Sequence, residues 1–430
     1  MSAKDDFEFM NSEVWLRYTH AKYLGEEEVR HRVEHEKVPG KWQEIWQKIM
    51  NTRKVGAVPL FLNSLDMKFW YFPSDSINKK ISEIERLGTT LYDKISTDNT
   101  FINSFLVDAE VEEAISSAIY EGANTTRAKA KQLLESGKKP ASKDDWMLLN
   151  NVEALDWIKE NRTNPISLDL ILKIHQIVTK NTLEGPDTNY CGKFRDDSVV
   201  VNNAQGKIVH EGIKFEKIEE ALKEVIKNVT SHPRYLHPLI RGILLHYFVA
   251  YIHPFFDGNG RTARTLFYFK SMKHDLKFVE LLSISAHLKN SGNQYEKAFE
   301  KVKGHDWDLT FFIDYCLESL LAALKIVQGK VDYLLKINLL KETYPLNENQ
   351  IGLLQRLALN KYRVLTIEAY AEEISKSREV ARQDLKDLVK IGFLKEQKSG
   401  KKFIYQVDSK KLKETVQKHI EEKELAYLLS

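Results

Sequence analysis

Residues His253 to Arg264 read HPFFDGNGRTAR, directly after an apolar run from Gly242 to Ile252. One histidine, one aspartate, one asparagine, two arginines and two glycines share these twelve positions. Gly258 and Gly260 bracket Asn259 in a turn, and Thr262 to Phe269 reads as a helix. Glycines let backbone N–H groups converge, and a helix N-terminus adds partial positive charge, so the turn is a candidate anion cradle. Arg261 and Arg264 share one helical face, where two guanidinium groups can clamp a polyphosphate. Asp257 is placed to hold a hard divalent cation of the kind shared with substrate phosphates. His253 is the residue nearest the cradle whose ordinary pKa suits proton abstraction at neutral pH. Each part alone has a plain explanation: the histidine as packing, the GNG turn as a helix entry. Together they point to phosphoryl or nucleotidyl transfer to a hydroxyl.

Residue for residue, the string resembles the signature of Fic-domain proteins: HPF, any residue, Asp or Glu, GN, Gly or Lys, R, two residues, R. The resemblance implies transfer of AMP from ATP to a hydroxyl of a target protein. By the same resemblance His253 would be the general base and Asp257 the ligand of Mg²⁺ or Mn²⁺. Gly258, Asn259, Gly260 and Arg261 would cradle phosphates, and Arg264 would pair with the γ-phosphate. The fold it implies is mainly α, a Fic-type helical bundle with a β-hairpin flap. Leu239, Ile243, Leu244, Tyr247, Phe248 and Tyr251 leave little polar surface before the signature, as the central helix of a bundle would.

Upstream, Val107, Val111, Ala114, Ile115, Ala118 and Ile119 give a helical stripe that ends at Glu121 and Gly122, with glycine in a C-terminal capping position. A carboxylate at that end faces the unfavourable pole of the helix dipole and calls for a cationic partner. The string from Ser117 to Gly122, SAIYEG, resembles the inhibitory motif of Fic proteins. In the family this glutamate pairs with the second arginine of the signature, here Arg264. One guanidinium cannot serve both the glutamate and a γ-phosphate well, so ATP would bind in a pose unsuited to in-line attack. Because motif and signature share one chain, inhibition would be intramolecular.

Between the two, Ser198 to Val201 is strand-like, Asn202 to Gly206 a turn and Lys207 to His210 a return strand. Preceded by Gly192-Lys193-Phe194-Arg195, this hairpin resembles the Fic flap, whose edge holds a target segment by strand addition. By family position Val201, Asn202, Asn203 and Ala204 lie near the nucleotide, and Gln294 and Tyr295 flank its adenine and ribose. His175, among Leu168, Ile171, Ile174 and Val178, reads as a core or helix-surface histidine rather than a catalyst.

Three regions are expected. Residues 1–100 form a helical, aromatic-rich region whose Trp42, Trp46 and Phe69-Trp70-Tyr71-Phe72 serve core packing, with Ser74 or Asp75 capping a helix. Residues 101–335 form the Fic domain, including an inhibitory helix over about 107–122. Residues 340–430 resemble a winged helix-turn-helix (α+β): helices at Asn347 to Leu359, Thr366 to Ile374 and Ser377 to Ile391, then a wing tip at Ser399 to Lys402. Lys376, Arg378, Arg382, Lys386, Lys401 and Lys402 could contact DNA, whereas Glu379, Asp384 and Asp387 oppose it and leave a protein partner open.

Composition narrows the remaining classes. At 43% hydrophobic and 29% charged residues the chain is globular rather than disordered. A net charge of +3 excludes a strong pull of the whole molecule toward nucleic acid or membrane. Cys191 and Cys316 are too few for a disulfide framework or a cysteine zinc site. The run from Ile240 to Phe256 is interrupted by Arg241, His246 and His253 and falls short of a membrane span. Acidic residues stand near Met1 where a signal peptide needs a basic start, so a soluble cytoplasmic protein is expected. Left open are a homodimer, other donors such as UMP or phosphocholine, removal of AMP, and a nucleotide-sensing regulator that binds DNA.

Overall fold

The computed structural model describes residues 3–429 apart from 37, 97–98, 137–138, 203–205, 207, 274–275, 291–292, 360–362 and 400–401. Its best-buried element is the helix Pro238–Ile252, the central helix. Leu239, Ile243, Leu244, Leu245, Phe248, Val249 and Ile252 are wholly shielded from solvent. With no polar face to offer water, such a helix can only be a bundle core. Pro238 occupies its first turn, where the missing N–H costs nothing.

Around it pack Ile218–Ser231, Thr310–Ile337 and Asn259–Met272, the last called the signature helix below. Leu168–Thr179 and Lys143–Glu160 cover the signature helix, and the helix Asn99–Tyr120 lies on Lys143–Glu160. Serine hydroxyls start several of these elements. Ser142 accepts from Asp145 N at 3.1 Å and Ser167 from Leu170 N at 3.1 Å. Of the two caps considered upstream, Ser74 takes the role, accepting from Ile77 N at 3.3 Å.

The N-terminal portion carries a hairpin that its aromatic composition concealed. Strands Val58–Leu62 and Met67–Tyr71 pair antiparallel from Val58↔Tyr71 to Leu62↔Met67. Leu309 N then donates to Trp70 O at 2.8 Å, tying the hairpin to the start of Thr310–Ile337. Helix Asp75–Ser96 runs along that same long helix, with Lys80 Nζ 2.7 Å from Asp314 Oδ1. One apolar core therefore extends from Val58 to Val416, with Ile95 and Ile102 both in it. The first helices form a smaller cluster around Trp15, Tyr18, Trp70 and Phe72. At its centre Arg53, wholly buried, donates to Tyr18 O (2.7 Å), Leu24 O (2.9 Å) and Thr19 Oγ1 (3.2 Å). Its guanidinium lies 3.7 Å from the Tyr23 ring, and Tyr23 donates to Asp308 Oδ2 at 2.5 Å.

After the bundle come Glu348–Leu359, Ile367–Glu373 and Arg378–Ile391, then strands Leu394–Ser399 and Lys402–Val407. Leu365 makes a single bridge to Tyr405 beside this hairpin. A further helix, Ser409–Leu429, buries Leu412 and Val416. Residues 400–401, at the expected wing tip, lie outside the described residues. No helix among the described residues is long and apolar enough to cross a membrane.

Candidate active site

The central helix ends on His253, whose backbone is left-handed at φ +53. For a residue with a side chain this conformation costs about 1–3 kcal/mol, and such strain concentrates where function fixes the geometry. Its Nδ1 lies 3.2 Å from Ala250 O. A carbonyl only accepts, so Nδ1 carries the proton and Nε2 keeps its lone pair. Burial pushes the imidazole down to about 4, which leaves it neutral at physiological pH.

Gly258 follows at φ +82, where an added Cβ would stand 2.5 Å from Thr179 Cγ2, so the turn needs glycine on both counts. The signature helix begins at Asn259, three residues before the expected Thr262. The reason is the Asn259 side chain, which folds back to accept from Phe255 N (3.0 Å) and donate to Phe255 O (2.8 Å). Arg261, 1% exposed, donates to Val178 O at 2.7 Å, to Thr182 Oγ1 at 3.4 Å and to Asp257 Oδ1 at 3.3 Å. The Asn259 amide and the two Arg261 Nη atoms thus bond inside the protein and shape the turn, while Arg261 Nε is buried without a partner among the described residues. The first-turn amides of the signature helix remain without helical carbonyls to bond, and the dipole adds to their pull on anions.

Asp257 is half exposed, and its Oδ1 is held by Gly258 N and Arg261. Among the described residues no cluster of three His, Cys, Asp or Glu could hold a metal alone. One carboxylate with a free oxygen beside a phosphate cradle nonetheless fits Mg²⁺, which keeps waters and shares substrate phosphates.

Arg264 is 2% exposed and bonds Glu121 Oε1 through Nη2 at 2.8 Å. Ser117 Oγ accepts from its Nε at 3.1 Å and its Nη2 at 2.9 Å, and the Tyr120 ring lies 5.5 Å away. Burial by itself would lower this guanidinium, but the Glu121 carboxylate beside it holds it above its ordinary range. Glu121 stands just past the helix Asn99–Tyr120, which closes with Ala123 N donating to Ala118 O at 2.9 Å. The carboxylate that burdens the helix dipole therefore meets the expected cation. It also lies so close to the turn that a Cβ on Gly260 would sit 2.2 Å from Glu121 Oε1.

That helix is fastened along its length. Asp108 binds Lys131 Nζ at 3.1 Å and also Lys330; Glu110 binds Lys159 Nζ at 2.7 Å; Glu112 binds Arg127 Nε at 2.6 Å. Buried Glu113 accepts from Ser283 Oγ (3.1 Å), Ser285 N (2.9 Å) and Ser285 Oγ (2.6 Å).

The flap pairs Val200–Asn202 with Ile208–Glu211, one to two residues later than the sequence suggested. Val201 is half-buried opposite His210, and Asn202 is exposed. Asn203 and Ala204 lie outside the described residues. Gln294 and Tyr295 part company: Tyr295 is buried with its hydroxyl 2.9 Å from His246 Nε2 and its ring 5.9 Å from Tyr120. Gln294 instead faces a cleft of about 570 Å³ with Lys22, Lys80 and Lys301.

His175 is the core histidine that the sequence suggested, buried at 1% exposure. It stacks on Phe255 at 3.6 Å, accepts from Gly192 N at 3.1 Å through Nδ1, and meets Asp257 O at 3.0 Å through Nε2. Burial lowers it to about 4, so a neutral ring braces the flap's base against the signature turn. Its partners lie 17 and 82 residues away, and nothing local in the sequence announces them.

With this geometry in place, comparison with known proteins agrees. Residues 165–269 match the family model for the Fic/DOC family. A protein adenylyltransferase Fic from Nematostella vectensis is 27% identical over 208 residues, covering 44% of this chain and 46% of the relative. Protein adenylyltransferase fic-1 from Caenorhabditis elegans is 32% identical over 102 residues, 24% of this chain and 18% of the relative. The matched stretch thus spans less than half of either relative. A crystal structure of a Fic family protein from Desulfovibrio desulfuricans superposes with a TM-score of 0.53 at 14% identity, covering 78% of this chain and 97% of that one, a likeness of fold alone. The stretch that matches the Fic/DOC family, residues 165–269, is thus the one that holds His253, the turn and Arg264.

Proposed function

We propose that the chain is an autoinhibited protein adenylyltransferase. A Ser, Thr or Tyr hydroxyl of a target segment lying along the flap gives its proton to His253 Nε2 as its oxygen attacks the α-phosphorus of ATP. The bond to the bridging oxygen breaks, and pyrophosphate leaves with the electron pair. Mg²⁺ or Mn²⁺ held by Asp257 would supply charge neutralisation to the phosphates when bound. The first-turn amides orient the phosphate chain, and Arg264 offsets charge on the leaving group once Glu121 no longer occupies it. The observation that carries this reading is the Arg264–Glu121 bond at 2.8 Å, adjoining a turn whose neighbour His253 is neutral with Nε2 available. Similarity to proteins named adenylyltransferases supports AMP as the group moved.

The test uses α-labelled ATP. Glu121→Gly is expected to raise label transfer to the protein itself or to a lysate target, and His253→Ala in the same background to abolish it. Equal labelling by both variants refutes the assignment, and the added mass read by mass spectrometry separates AMP from another donor.

One observation favours a second role for residues 340–430. The Glu368 carboxyl is drawn below its ordinary value first by its own backbone amide and then by Lys402 of the hairpin and Arg378 of the third helix, so both cations lie within electrostatic reach of it. We infer a surface suited to a phosphate backbone. Duplex binding measured by fluorescence anisotropy should weaken as salt rises and again on Arg378→Ala; binding indifferent to both excludes it.

A further inference from the structure

A helix leaves its last carbonyls without partners inside the helix. At the end of the central helix each is taken by a residue of the site. Ala250 O meets His253 Nδ1 at 3.2 Å, Tyr251 O meets His210 Nε2 at 2.6 Å, and Ile252 O accepts from Ile213 N at 3.3 Å. His253 O and Pro254 O both accept from Arg195, through Nε at 2.8 Å and the backbone N at 3.0 Å. The segment 195–213 is therefore sewn to the turn that aims His253. Only one of these stitches is a side chain on a flap strand: His210.

The strand pairing explains why it points inward. Val201 faces His210 and Asn202 faces Ile208, so Val209 has no opposite residue. This bulge breaks the alternation of sides. Ile208 (58%) and Val209 (38%) both face solvent while His210 turns onto Tyr251, its ring 5.1 Å from that ring and 6.5 Å from His253. Tyr251 O accepts only, so His210 Nε2 carries a proton. Lys303, Arg195 and Glu211 are the charged groups around the ring, and burial, with Lys303 and Arg195, keeps it below its ordinary value against the pull of Tyr251 O and Glu211.

We propose that His210 is a positioning residue for His253: by donating to Tyr251 O it locks the last turn of the central helix to the flap, so that a target strand settling on the flap finds the base already aimed. The role rests on the adenylyltransferase reading for its kinetic test but not for its spectroscopic one.

In the Glu121→Gly background, His210→Phe removes the donor and His210→Gln retains an N–H of similar reach. The expected result is a fall in kcat of at least about tenfold for Phe with KM for ATP within about twofold, and recovery of most of kcat for Gln. A loss confined to KM for ATP, a loss that Gln does not rescue, or equal kcat in all three proteins overturns the role. Ring resonances of His253 in histidine-labelled protein give the second readout. Because His210 depresses His253, its replacement by Phe should move the His253 titration upward. An unmoved titration overturns the coupling even if no AMP transfer is ever detected, whereas a moved titration without transfer retires the enzymatic reading and keeps the coupling.

Discussion

At the scale of single residues, the proposed chemistry turns on an imidazole held neutral by its surroundings. His253 falls from an ordinary 6.5 to about 4, chiefly through burial. A base works only when deprotonated, so the rate should be full above the folded value and lost as pH falls through about 4, not through 6.5. Initial rates of Glu121→Gly are therefore expected to be level from about pH 5 to about pH 8, and a half-maximum near 6.5 would contradict the assignment. The sequence placed His253, Asp257, Arg261 and Arg264 together because they are neighbours in the chain and one motif carries them all. It could not place the partners of Asn259 and Arg261, whose side chains turn inward to Phe255 and Val178. His175 was legible as a core histidine, but its partners and those of His210 were not, because these contacts reach across 17 to 82 residues and leave no local pattern.

At the scale of elements, the meeting of Glu121 with Arg264 was readable in advance from electrostatics: an acid at a helix C-terminus, a cation needed, and a resemblance naming which one. Ser117 adds a detail the motif alone did not explain, since its hydroxyl receives two bonds from the same guanidinium. Ser117→Ala leaves Arg264 tied to Glu121 and, at 3.5 Å, to the Ser117 backbone carbonyl, so label transfer should rise by roughly threefold to tenfold, the worth of about one hydrogen bond, and by less than in Glu121→Gly. An unchanged basal rate would show that the serine takes no part in restraint. Helices with strong apolar stripes were legible to within a few residues, whereas the hairpin Val58–Tyr71 was not. Its strands are short and aromatic, and their pairing is completed by Trp307 to Leu309, which no local pattern reveals.

At the scale of the whole molecule, one core running from Val58 to Val416 joins regions that composition and motif had suggested treating apart. Local sequence reports where elements begin and end, but continuity of packing depends on which apolar faces meet. The first helices are fixed to this core through Arg53, Tyr23 and Asp308. Arg53→Ala would strip three buried acceptors of their donor and open a cavity, at about 3–5 kcal/mol by analogy with broken buried ion networks. Denaturant unfolding should show a clearly lower midpoint, while the transfer rate of the folded Glu121→Gly protein stays near its parent's; an unmoved midpoint would mean the network is ornamental. The acids of the helix Asn99–Tyr120 carry a further meaning. Asp108, Glu110, Glu112 and Glu113 moor it to four separate stretches of chain, so withdrawing it whole would mean rupturing every mooring at once. On the proposed autoinhibited reading, an activating signal would be spared that labour by working at the C-terminal tip, residues 117–122, where unwinding a single turn or swinging one carboxylate aside would release Arg264.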